Sequence, residues 1–356
     1  MENRKLRVGI IGTGSISQVH MAGYKALPDR VEVVAACDIN EPKLQKYCDY
    51  HGIPHRYTDY NEMCEKEHLD CVSVCTWNVA HKGATIAALR SGANVICEKP
   101  MAMNAKEAEE MKAVAEETGK LLVIGFCRRF GNDAAALKKY VDQGYFGDIY
   151  YAKATYLRRS GCPGGWFGDK KRSGGGPLVD LSVHVLDLVR YLSGLPKPVS
   201  AYGSIYDNLG PDRASDSIII WNVEHNPGDE YNVEDFATAL IKFDNGLTVQ
   251  LETSFNLNIQ HDTTNVQIFG TKAGATVDPE VEIFTQYGDR FVNIQPETRI
   301  FLDENGLFEA EIKGFIDAVE GIAPPRATPD DGIAVMKIID AVYESARTGK
   351  SVEIKW

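Results

Sequence analysis

In the first 126 residues, apolar positions arrive in short blocks. LRVGIIG, VEVVAACD, LDCVSVCT, ANVICEK and KLLVIGF are apolar runs of strand length. Between them, SISQVHMAGYKAL, PKLQKYCDYHG, HKGATIAALRSG and AKEAEEMKAVAEETG carry apolar residues at helical spacing. Such alternation predicts a parallel, doubly wound sheet with right-handed crossovers. Further along, YYAKATYLRR, EDFATALIKF, GLTVQLETSF and TTNVQIFG are separated by turn signals such as Asp244-Asn245-Gly246 instead of helices, which predicts a second, mainly antiparallel sheet across 146–158, 198–207 and 235–294. Helices over about 133–143, 178–193, 308–321 and 331–347 are expected to accompany it. The chain therefore reads as α/β, with one domain over 1–126 and another over 127–356. The polar stretch 208–234, rich in Asp, Asn, Pro and Gly, is expected to be a loop or lid.

Composition narrows the partners. The 356 residues are 44% hydrophobic and 25% charged, a profile long enough for two domains. The net charge is −12 with no basic cluster beyond Lys170-Lys171-Arg172, so the field repels a polyanion and no nucleic acid is expected. No apolar run reaches the roughly 18 residues of a membrane span. The start MENRKLRVGIIGTG runs from charges into a strand without a signal-peptide pattern, so no membrane partner and a cytoplasmic location are expected. Eight cysteines without a CxxC pair fall mostly in strand-like runs, which suits reduced, packed thiols. A zinc site from Cys64, His68, Cys71 and Cys75 is the sharper alternative, but its spacing matches no known ligand pattern and no metal is expected.

The chemistry begins at GTGSIS, directly after the first strand. Gly12 and Gly14 stand where a dinucleotide-binding turn needs them, Ser15 and Ile16 open the following helix, and Ser17 takes the third position. The second strand ends in Asp38, an acid placed to accept hydrogen bonds from an adenosine ribose. With Ile39 and Asn40 following and no arginine there, NAD is expected over NADP. CTWNVAH and VICEKPMA close two further strands of the alternating domain. Ligands in doubly wound sheets lie outside the carboxyl ends of the strands, so Thr76, Trp77, Asn78, His81, Glu98 and Lys99 are delivered to the cofactor crevice. For His81, a helix-start residue bonding the backbone is an equal alternative. The proline after Lys99 restricts its backbone toward an extended form and admits the cis isomer, which would aim the ammonium.

GGGPLVDLSVHVLDLVRYL is an apolar helix with a polar stripe. At about 100° per residue Asp180, His184, Asp187 and Tyr191 fall on one line. Three glycines before Pro177 would let the chain approach a ligand closely. Upstream, YLRRSGCPGGWFGDKKRSGGG offers Arg158 and Trp166 as the better contacts for a polyhydroxylated ligand, since sugar faces stack on rings and hydroxyls bond to cations. Arg128 and Arg129 read equally as an interdomain salt-bridge pair.

Together the GxGxxx turn, the TxNxxH strand end, the EKP tripeptide and the GGGxLxDxxxHxxD helix resemble the Gfo/Idh/MocA oxidoreductases over nearly the whole chain, the ending KIIDAVYESARTGKSVEI included. The resemblance implies a Rossmann NAD domain joined to an α/β domain whose large open sheet builds homo-oligomers, dimers or tetramers. It implies sugar or cyclitol substrates. It also implies Lys99, Asp180 and His184 at the catalytic centre, with Gly12, Gly14, Asp38, Asn78, His81 and Glu98 around the cofactor. Trp77 departs from the family's proline, Ser182 from its glycine, and Cys127 from a polar residue. Oxidising a secondary alcohol needs a base, and histidine has the side-chain pKa nearest neutrality. His184 is therefore the expected base, Asp180 its orienting partner, and Lys99 the group that polarises the alkoxide or shares the proton transfer. An NAD-dependent glycosidase of the same fold and a non-enzymatic dinucleotide-binding regulator are the alternatives.

Overall fold

In the computed structural model, residues 4–210, 229–278, 280–296 and 304–356 are described. Most of the expected loop at 208–234 lies outside them. The chain divides into two compact units, Met1–Phe130 with Leu302–Ile333, and Gly131–Phe301 with Ala334–Trp356.

The first unit is built on β1 (Leu6–Ile11), β2 (Val31–Cys37), β3 (His55–Tyr57), β4 (Cys71–Val74), β5 (Asn94–Glu98) and β6 (Leu122–Gly125). All pair in parallel in the order β3-β2-β1-β4-β5-β6. Strand order reverses between β1 and β4, the switch point at which such sheets open a crevice. Val8, Ile10, Val72, Val74, Val95 and Ile96 are fully buried, as strands covered on both faces must be. The connecting helices are α1 (Ser15–Lys25), α2 (Glu41–His51), α3 (Tyr60–Glu67), α4 (Asn78–Arg90) and α5 (Ala105–Thr118). Asn40, Asp59 and Asn104 cap α2, α3 and α5 by accepting backbone N–H bonds.

The helix expected at 308–321 spans Glu304–Val319, and it belongs to this unit and not to the sheet it was expected to accompany. Ile312 packs onto α1 at Gly23, where a Cβ would stand 2.7 Å from its side chain, and Ile312, Phe315 and Ile316 join the core of Val8, Ile10, Met21 and Tyr24. Arg129 also stays within the unit. Fully buried, its guanidinium donates to Asp331 at 3.0 Å and to the Arg326 carbonyl, both of the same unit.

In the second unit, α6 (Asn132–Asp142), β7 (Ile149–Leu157), α7 (Lys170–Ser173), α8 (Pro177–Asp180) and α9 (Ser182–Leu192) come first. Then follow β8 (Pro198–Tyr206), β9 (Phe236–Phe243), β10 (Thr248–Ser254), β11 (Thr263–Gly270), β12 (Ala273–Val277), β13 (Glu282–Tyr287) and β14 (Arg290–Ile294). After the Glu304–Val319 helix, α10, the chain ends in α11 (Pro329–Thr348) and β15 (Val352–Glu353). The nine strands run β14-β13-β12-β11-β7-β10-β9-β8-β15, and only β7 with β10 is parallel. Along β9 the period is two: Ala237, Ala239, Ile241 and Phe243 are buried while Leu240 and Lys242 are exposed. Helix α8 packs against β9, and α9 against the neighbouring strands β7, β10 and β11. The other face carries Tyr151 stacked on Phe269 and Tyr206 stacked on Phe236, with ring centroids 5.6 and 5.7 Å apart.

The helix expected over 178–193 is broken. Leu181 ends α8 and precedes α9, the Ser182 hydroxyl bonds back to the Leu178 carbonyl, and the His184 amide closes a tightened turn on the Leu181 carbonyl at 3.2 Å. Such hydroxyl back-bonding bends helices, so Asp180 and His184 stand on successive segments instead of one straight stripe.

Candidate functional site

The turn between β1 and α1 is shaped for a dinucleotide phosphate. Gly12 has φ +91°, and a Cβ there would meet the Cys75 carbonyl at 2.4 Å, so only glycine fits. Gly14, the N-cap of α1, is different: a Cβ there would have only the Lys43 ammonium within 4 Å, at 3.8 Å. That open space lies at a helix N-terminus, where backbone N–H groups and the dipole favour an anion. Ser15 is exposed and Ile16 half-buried beside it. Ser17 fits in place of a third glycine by turning its hydroxyl onto the Gly14 carbonyl, 2.7 Å away.

Asp38, just past β2, is held rigidly. One carboxylate oxygen accepts the Thr13 amide and the Thr13 hydroxyl, each at 2.8 Å, and the other accepts the Asn40 amide at 2.9 Å. Lys43 is 4.0 Å from the first oxygen. A carboxylate accepts about four hydrogen bonds, so capacity for ribose hydroxyls remains. The donor set and the open Gly14 together fit NAD. Thr13 and Lys43 were not picked out from the sequence, although an acid awaiting a ribose needs a nearby donor to hold it.

At the ends of β4 and β5, Thr76 and Trp77 are half-buried, and Trp77 is the N-cap of α4. Asn78 and His81 are buried. His81 has both ring nitrogens against backbone carbonyls, Nδ1 at 2.7 Å from Pro100 and Nε2 at 3.1 Å from Thr76. The imidazole is thus spent on the protein's own backbone, the plainer of the two expectations for it. Burial pushes its pKa below the usual imidazole range, against the pull of the two carbonyls.

Glu98 also turns inward. Its carboxylate lies 2.9 Å from His20 Nε2 and accepts the Lys99 amide at 3.2 Å. His20 Nδ1 in turn meets the Ser73 hydroxyl, which meets the Tyr24 hydroxyl. Glu311 of α10 brings a third potential metal ligand to His20 and Glu98, all within 4.8 Å, and among the described residues Cys64, His68, Cys71 and Cys75 form no such group. All eight cysteines are unpaired thiols, and burial raises Cys97 to about 12. Lys99 is half-buried, and its bond to Pro100 is cis.

In the second unit Asp180 is buried and His184 half-buried. The His184 ring lies 6.4 Å from that of Tyr156, and the Arg158 guanidinium stands 5.5 Å from the centre of the Tyr156 ring while donating to the Gly161 carbonyl at 2.7 Å. Trp166, half-buried, stacks on Phe167 at 3.9 Å.

Two of the three glycines before Pro177 are packed tightly against the protein itself. A Cβ on Gly175 would run into the Tyr343 phenol oxygen, and one on Gly176 into the Glu234 carbonyl. Buried Glu234 accepts the Gly176 and Leu178 amides and the Tyr343 hydroxyl at 3.0, 3.1 and 3.0 Å. Desolvation raises its carboxyl pKa. Glu234 and Tyr343 lie far from the motif in sequence and left no periodic signal.

Known proteins resemble the chain over nearly its whole length. An NAD-binding Rossmann oxidoreductase family model matches 6–126, and that family's C-terminal α/β domain matches 138–354. The D-glucoside 3-dehydrogenase of Escherichia coli (strain K12) is 35% identical over 99% of both chains. The myo-inositol 2-dehydrogenase of Thermotoga maritima is 26% identical over 98% of this chain and 99% of its own. Levoglucosan dehydrogenase solved with NADH, 23% identical, shares the fold at a TM-score of 0.85 over 99% of this chain and 100% of its own. The chain belongs to the Gfo/Idh/MocA family of NAD-binding oxidoreductases, whose members among its relatives are sugar and cyclitol dehydrogenases.

Proposed function

We propose that the protein oxidises a secondary hydroxyl of a sugar, glycoside or cyclitol with NAD in preference to NADP. The anchored carboxylate of Asp38 carries this reading: it is placed to take ribose hydroxyls and would repel a 2′-phosphate. Gly12, Gly14, Ser15 and Ile16 would hold the pyrophosphate, with Thr76, Trp77 and Asn78 along the crevice. When bound, the nicotinamide supplies the hydride acceptor. His184 takes the hydroxyl proton, Asp180 orients the imidazole or a neighbouring hydroxyl, and Lys99 stabilises the developing alkoxide. Arg158 and Trp166 contribute hydrogen bonds and a stacking face for the polyol. The 35% identity to a glucoside 3-dehydrogenase supports a pyranoside as the first substrate to try.

The open sheet face with its stacked aromatic pairs supports a homo-oligomer. Eight unpaired thiols support a reducing, cytoplasmic setting. Among the described residues no helix is long and apolar enough to cross a membrane.

Turnover of NAD with methyl glucosides, inositols and sugar acids, read by fluorescence of the reduced cofactor, tests the proposal. Lys99→Met is expected to lower kcat by about 10²–10⁴-fold while NADH still binds. A variant with wild-type kcat would remove the role given to Lys99.

A further inference from the structure

The first turn of α4 contains a fully buried imidazole that reaches across to the residue following Lys99. A neutral imidazole carries one N–H, and the shorter contact, 2.7 Å against 3.1 Å, puts it on Nδ1, donating to the Pro100 carbonyl. Burial favours that neutral form, opposed by the two carbonyls and by the charge of Glu98 and seconded by the charge of Lys99. On the other side of Lys99, the backbone amide donates to the Glu98 carboxylate at 3.2 Å, and Glu98 is itself tied to His20. The lysine thus has its own amide fixed by an acid and the next carbonyl fixed by a histidine.

We infer that His81 is a positioning residue for Lys99, acting through Pro100: its Nδ1–H holds the carbonyl of the residue after the lysine and so, through the proline ring, sets where the lysine stem begins. A displacement of about 1 Å at a reacting group costs up to 10²-fold in rate, so such a bond matters more to turnover than to folding. The inference rests on the catalytic role proposed for Lys99. It assigns His81 no contact with substrate or cofactor.

Two substitutions separate the two nitrogens. The amide nitrogen of asparagine falls where Nδ1 stood and that of glutamine where Nε2 stood, so His81→Asn keeps a donor on the Pro100 carbonyl and His81→Gln moves the donor to the Thr76 carbonyl. His81→Asn is expected to retain kcat within about threefold, and His81→Gln to lose about tenfold to a hundredfold, with KM for NAD and for the methyl glucoside or inositol within about threefold in both. Equal losses in the two variants, or an unimpaired His81→Gln, overturn the inference, because a histidine serving the fold alone would not distinguish its nitrogens. A substrate-free readout stands beside this: the rate at which acetic anhydride labels Lys99, relative to Lys82, is expected to change in His81→Gln and not in His81→Asn, and no change in either overturns the inference. Lys99→Met in the same assay separates the two ideas. If it stays active, the lysine's role falls and this inference with it; if it is inactive while His81→Gln is not, only the inference falls.

Discussion

On the proposed reading Asp38 receives ribose hydroxyls, and a carboxylate in that role must be held still before the ribose arrives; at Asp38 Thr13 does the holding. The Thr13 amide and hydroxyl both donate to one oxygen, so the hydroxyl can be removed without disturbing the backbone bond. Thr13→Val is expected to weaken NADH binding by about threefold to tenfold, the net worth of one ordinary hydrogen bond. kcat at saturating NAD should be unchanged, because no reacting atom is touched. Fluorescence titration of NADH measures the first and steady-state turnover the second; a fall in kcat with unaltered affinity would mean that Thr13 does something else. Lys43, 4.0 Å from the same oxygen, is half-exposed, and its attraction is largely screened.

At the scale of the element, the α8 turn shows how packing decides what glycines are for. Gly175 is small because the Tyr343 phenol and the Val179 side chain occupy the space where a methyl would go. Gly175→Ala is expected to destabilise by about 1–3 kcal/mol through overpacking, and Tyr343→Phe in the same background to recover part of it by withdrawing the oxygen. Denaturant midpoints of the four proteins give the coupling, and strict additivity would show that the two do not compete for one space. Sequence could supply the glycines but not their occupant, since Tyr343 is 168 positions away by subtraction of the two residue numbers. The broken helix has a similar cause. Ser182 keeps the apolar period intact, so nothing in the pattern betrays that its hydroxyl turns back on Leu178. By contrast, five of the six parallel strands were plain, because strands buried on both faces read as unbroken apolar runs. The sixth, β3, is three residues long and mostly exposed, and α3 buries only Met63, Cys64 and Glu67, too little for a helical period to stand out. For the site, the glycine turn and Asp38 followed from local spacing. Glu98 ends β5 as expected, whereas His81 lies in the first turn of α4, beyond the end of β4, and both side chains are bonded within the protein, to His20 for the one and to Pro100 and Thr76 for the other.

Across the whole molecule the two units answer acid in opposite senses. In the first, burial alone would raise the carboxyls of Glu67, Asp70 and Asp317, but hydrogen bonds and nearby cations outweigh it: Tyr57, His55 and Arg7 for Glu67, Arg4 and the Arg7 amide for Asp70, Lys313 and Arg30 for Asp317. Each is held below its ordinary value, so each contributes stability that is complete above the unfolded pKa of about 4 and lost as pH falls through the lower folded value. Protonating Glu67 also leaves Arg7 facing a neutral partner at 2.9 Å. In the second unit, desolvation raises the Glu234 carboxyl, so the folded form binds its proton more tightly than the unfolded chain does. That contribution is fully present below the unfolded pKa and fades as pH rises through the folded one. Acid therefore loosens the first unit while sparing the clamp on α8. Pepsin, active in this range, is expected to cut first in the first unit, near β1, α3 and α10, with fragments mapped by mass spectrometry at stepwise lower pH. Cleavage beginning in the nine-stranded unit would mean that these three carboxylates do not govern its acid limit, and Glu67→Gln should then leave the onset of cutting where it was, instead of shifting it toward neutral pH.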